Sequence, residues 1–153
     1  MPPLDPTAAT TLPQWIGRRA QQHGQRVAVT FVDVDGDQQT WSYGELWRRA
    51  CVVAARLPSN EVPGSRALLL FPPGIDFLAG FLGCQSAGWT PGPTCYPKVG
   101  REMPRLDSAA EDCTPSALVS TQTTIDSLAW DKMCEAARSI PRIVTDVDSD
   151  EIS

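Results

Sequence analysis

The chain has 153 residues, 42% of them hydrophobic and 20% charged, which suits one domain of ordinary size able to bury a core. Its formal net charge is -5, with 13 basic residues scattered among 18 acidic ones, so there is no basic field to hold nucleic acid. No stretch approaches the roughly 20 apolar residues of a membrane helix, and the start Met1-Pro2-Pro3-Leu4-Asp5-Pro6 lacks the basic and apolar regions of a signal peptide, so a cytoplasmic protein is expected.

Residues 1–10, rich in proline, threonine and alanine, read as a loose lead-in. Order is expected from Thr11, which with Gln14 has the form of a capping box. Leu12, Trp15, Ile16 and Ala20 then repeat at helical spacing until His23-Gly24 closes a short amphipathic helix. Residues 27–32 and 39–41 flank a polar stretch containing Asp35-Gly36, the pattern of a β-hairpin. Ser42 and Glu45 form a second capping box, in which Ser42 starts a helix and Glu45 is expected to reach back to the exposed amides. Tyr43, Leu46, Trp47, Ala50, Val53, Ala54 and Leu57 make its apolar face.

Beyond a connector over 58–64, the chain alternates strands and helices. A strand over 67–71 meets Pro72-Pro73-Gly74 and a helix over 75–87, with Asp76 expected to cap the turn and Gly88 suited to a left-handed C-terminal cap. Residues 89–93 form a short strand that Pro91 and Pro93 restrict to a sheet edge or a strand end. After a proline-rich loop, a helix over 101–112 carries Pro104 in its first turn and leads to a strand over 116–120. One further helix is expected with Ile125, Leu128, Ala129, Met133 and Ala136 on one face, then a strand over 142–145. The alternation predicts an α/β fold: a doubly wound, mostly parallel sheet with helices on both faces, preceded by the hairpin. Residues 11–147 would form this unit, with 148–153 as an acidic tail or cut point.

The five cysteines, at 51, 84, 95, 113 and 134, are an odd number with no Cys-x-x-Cys pair and no histidine at zinc spacing, so reduced thiols are expected. Cys51, Cys84 and Cys134 fall in predicted helices, where free cysteine usually acts as a small apolar residue. His23, the single histidine, stands beside a helix-ending glycine with no nucleophile near it in sequence. Asp33, Asp35 and Asp37 alternate like a calcium loop, but Gly44 stands where a twelve-residue loop needs its closing carboxylate. A solvated turn explains them better. Gly74 lacks the glycine-rich surroundings of a phosphate loop, and Asp76 in the following turn repels anions.

Several segments, in order, resemble the opening of a fatty acyl-AMP ligase, a branch of the adenylate-forming enzymes. Trp41-Ser42-Tyr43-Gly44-Glu45-Leu46 is similar to that family's "(T/S)Y-x-E-L" motif. The run from Leu68 through Phe71-Pro72-Pro73-Gly74 to Ala87-Gly88 follows, then Pro93, Tyr96-Pro97 and Gly100-Arg101, then Arg105-Leu106 and Ala117-Leu118-Val119. The likeness covers residues 12–146.

It implies a partial N-terminal subdomain of an adenylate-forming enzyme. The complete protein would use ATP and magnesium to convert a fatty acid to acyl-adenylate, then pass the acyl group to an acyl carrier protein. The family's Ser/Thr/Gly-rich phosphate loop ending in lysine, its acidic ribose-binding motif and its C-terminal catalytic lysine have no counterpart in the sequence. Ser120-Thr121-Gln122-Thr123-Thr124 comes nearest but has no glycine and no following lysine, so Thr121 or Thr123 is expected to cap a helix.

No catalytic, cofactor-binding or metal-binding residue is therefore expected, and the chain alone should lack activity. The alternative is a stand-alone, non-catalytic binding or assembly module on the same scaffold. If the sheet normally continues, an uncovered edge would favour pairing with a second copy, with Trp89, Pro91 and residues 140–147 as the exposed region.

Overall fold

In the computed structural model, residues 11–59, 62–96 and 104–146 are described. Helix α1 (Leu12–His23) begins at Thr11, whose hydroxyl accepts the Gln14 amide, and it buries Ile16. Leu12, expected on the buried stripe, is 48% exposed because it lies at the open end of the helix. Strands β1 (Val27–Val32) and β2 (Gln38–Ser42) pair antiparallel as a separate two-stranded sheet. Its turn is organised by Asp33, whose Oδ1 accepts the Asp35 and Asp37 amides at 2.9 Å, and Gly36 takes φ +89.

Helix α2 (Tyr43–Arg56) starts where Ser42 Oγ accepts the Glu45 amide. The other half of the expected capping box is not formed. The Tyr43 and Gly44 amides donate to the carbonyls of Arg26 and Gly24, and the Glu45 carboxylate turns along the helix to Arg49. With loop carbonyls already on those first-turn amides, an i,i+4 cation is the better partner for Glu45.

The second sheet consists of β3 (Arg66–Leu69), β4 (Thr90–Pro93), β5 (Ala117–Ser120) and β6 (Arg142–Val144), parallel throughout in the order β4-β3-β5-β6. Alternation along its buried central strands sends side chains to two layers. Ala67, Leu69, Phe71, Ala117 and Val119 pack with Val53 of α2, Leu57 just beyond its end and Cys84 of α3 (Asp76–Ser86). Leu68, Leu70 and Leu118 face the other way, against Leu106 and Ala110 of α4 (Pro104–Cys113), Ile125 and Met133. A third cluster joins α1, α2 and the hairpin to the first half of α3 through Ile16, Trp41, Leu46, Ile75 and Ala79. Both faces of the sheet are thus covered, as the strand and helix alternation predicted.

Three local expectations change. Asp76 does not cap α3: Ile75 occupies the N-cap with helical dihedrals and no side-chain bond, and Asp76 sits in the first turn. The single helix expected after β5 is divided into α5 (Gln122–Ser127), a 3-10 turn at Trp130–Lys132 and α6 (Glu135–Ser139). The break follows from competing bonds. Trp130 Nε1–H donates to the Ile125 carbonyl, and Asp107 Oδ1 accepts the Cys134 amide, leaving Cys134 at the N-cap of α6 rather than inside a helix. Cys51 is exposed instead of packed, whereas Cys84 is fully buried.

Strands β4 and β6 are the sheet edges, as the prolines suggested for β4, but Trp89 and Ile140 are only 6% and 7% exposed. Both lie just before their strands, Trp89 where the chain leaves α3 and Ile140 at the C-cap of α6, and each packs into a layer of the core while the strand that follows it runs along the edge. Thr145 is also buried, and Val147 lies outside the described residues. Gly88 adopts φ +77 after α3, the left-handed conformation expected of it. The predicted lead-in at 1–10, the loop residues 97–103 and the tail at 148–153 also lie outside the described residues.

Candidate functional site

In an open parallel sheet, a ligand crevice forms beyond the carboxyl ends of the strands where strand order reverses. Here β4 and β5 lie on opposite sides of β3, which places that point between the ends of β3 and β5. The polar groups there are joined to one another. Ser120, fully buried, donates its hydroxyl to the Leu70 carbonyl, and its own carbonyl accepts the Thr145 amide at 2.8 Å. Thr121 Oγ1 accepts the Thr124 amide and donates to the Thr124 hydroxyl, so Thr121 is the helix cap expected from the hydroxyl-rich run. The Gln122 amide at the start of α5 is taken by the Asp146 carboxylate at 2.7 Å.

A cleft of about 240 Å³ opens beside the end of β3, between the hairpin and the Pro72-Pro73-Gly74 turn. Phe31, Asp33 and Asp37 line one wall, and Pro72, Gly74 and Asp76 the other. Burial pushes the Asp76 carboxyl above its usual range; Arg49 opposes this and the Asp146 charge adds to it. Three carboxylates around one opening disfavour a polyphosphate, and Asp33 already accepts two backbone amides. Gly74 has none of the close contacts that would demand a glycine for ligand approach; an added Cβ would meet only the Pro72 carbonyl, at 3.7 Å. Among the described residues, no three His, Cys, Asp or Glu side chains converge as metal ligands. These groups do not fit ATP and magnesium.

The other residues singled out in the sequence remain separate. His23 ends α1, and its carbonyl accepts the Arg26 amide. Trp15 meets Tyr43 edge-on at 6.3 Å, while Trp47 lies against Gly17. Burial pushes the Cys84 thiol up to about 12, which leaves it inert. Sequence reasoning did not anticipate Arg49, which stacks at 4.5 Å over Trp41 and bonds Glu45, because only the fold brings β2 against that face of α2.

The AMP-binding enzyme model matches residues 16–153. The chain belongs to that family.

Among its relatives, the long-chain-fatty-acid–AMP ligase FadD26 of Mycobacterium marinum is 27% identical over 143 residues, covering 91% of this chain and 24% of its own length. A 4-hydroxyphenylalkanoate adenylyltransferase of the same organism is 31% identical over 123 residues, covering 78% of this chain and 20% of that protein. The crystal structure of a fatty acid AMP ligase from Legionella pneumophila superposes with a TM-score of 0.77 at 26% identity, over 95% of this chain and 25% of that one. The N-terminal subdomain of Klebsiella oxytoca NpsA shares the fold, with a TM-score of 0.64 at 17% identity over 92% of this chain and 32% of that one.

This AMP-binding family chain therefore spans about a quarter of the length of the fatty acid ligases it matches, and it resembles their N-terminal part. No helix among its described residues is long and apolar enough to cross a membrane.

Proposed function

We propose that this chain is the N-terminal scaffold of a fatty acyl-AMP ligase-like protein. The complete protein would activate a fatty acid with ATP and magnesium to an acyl-adenylate and deliver it to an acyl carrier protein in the cytoplasm. On this reading the chain contributes the first α/β layers and no catalytic group. One observation carries the scaffold role: at the carboxyl ends of β3 and β5 the Ser120 and Thr121 hydroxyls donate to Leu70 and Thr124, the Gln122 and Thr124 amides donate to Asp146 and Thr121, and the Ser120 carbonyl accepts from Thr145, so these groups serve one another rather than a ligand. Adenylation requires donors for the charge that develops on phosphate oxygens. Those donors would come from the part of the protein that aligns with the remaining three quarters of its relatives.

The test has two arms. Pyrophosphate release from ATP and magnesium, with fatty acids of several lengths, should be absent for the purified chain; turnover that responds to substitution within it would sink the scaffold reading. The coding sequence past Ser153 should carry a Ser/Thr/Gly-rich phosphate loop and a later C-terminal lysine motif. A genuine stop codon there would favour a stand-alone, non-catalytic module.

A further inference from the structure

We draw no further inference here: the strongest candidate, the cleft between the hairpin and the Pro72-Pro73-Gly74 turn with Asp33, Asp37 and Asp76 on its walls, is a cluster of carboxylates, and nothing in the structure shows what ligand or segment fills it.

Discussion

Arg49 donates through Nε and one terminal nitrogen to a single carboxylate oxygen of Glu45, one turn back along α2, at 3.1 and 2.9 Å. The pair is partly exposed, and its guanidinium also lies over the Trp41 ring. The Ser-Tyr-Gly-Glu-Leu motif therefore has a division of labour: Ser42 caps the helix, Leu46 enters the core, and Glu45 serves the adjacent turn.

Replacing Ser42 with alanine should cost about 1 kcal/mol, the usual loss of an N-cap. Replacing Glu45 with alanine should cost about 0.3–0.5 kcal/mol, the scale of an exposed i,i+4 pair. Urea denaturation of the two variants checks the order, and a larger loss from Glu45 would restore the reciprocal capping box.

Gly83 lies where α3 crosses α2, and an added Cβ would come within 2.6 Å of Val53 Cβ and 2.8 Å of the Ala50 carbonyl. Alanine in a helix interior ordinarily gains about 0.5–1 kcal/mol over glycine. Gly83→Ala should instead lose about 1–3 kcal/mol, because neither contact belongs to the far end of a flexible side chain. A higher denaturation midpoint would show that the two helices can separate at little cost.

Cys84 should make the fold sensitive to alkali. An unfolded thiol ionises near 9.0, while burial holds this one at about 12. Below the lower value both states keep the proton and nothing is lost; between the two, only the unfolded chain releases it. Stability therefore falls as pH rises through that window, by about 4 kcal/mol at its upper end. Cys84→Ala removes this contribution, so its stability should decline less steeply than the parent's from pH 9 to pH 12, other titrations being common to both chains. Equal slopes in denaturant titrations would mean that the thiol reaches solvent in the native state.

Thr114 adopts φ +43 where α4 gives way to β5, and Arg66 holds the Cys113 carbonyl beside it at 2.8 Å. A left-handed conformation costs an L-residue roughly 1–2 kcal/mol, and glycine escapes it at an entropic cost of about 0.5–1 kcal/mol. Thr114→Gly should therefore stabilise the chain by about 0.5–1 kcal/mol, read as a higher melting temperature. A loss would assign more value to the 3.4 Å bond between Arg66 and the Thr114 hydroxyl than its length suggests.

Local chemistry already wrote much of this molecule. Thr11, Ser42 and Thr121 could be read as caps because a hydroxyl three residues before an amide acts within one turn, and all three do so. Gly88 and the prolines of β4 were legible for the same reason: φ preference and a missing N–H are properties of the residue itself. Other outcomes depended on contacts between distant segments. Asp107 and Trp130 divided a predicted helix, loop carbonyls released Glu45 to Arg49, and Trp89 and Ile140 packed into the core just before the edge strands. Arg56 and Val144 stand 88 residues apart, and no periodicity in either segment announces that they meet. Composition, spacing and turn chemistry act over a few residues, so they specify elements and the order in which they come. Which carbonyl an arginine finds across the sheet is settled only when packing of the apolar layers brings the two backbones together.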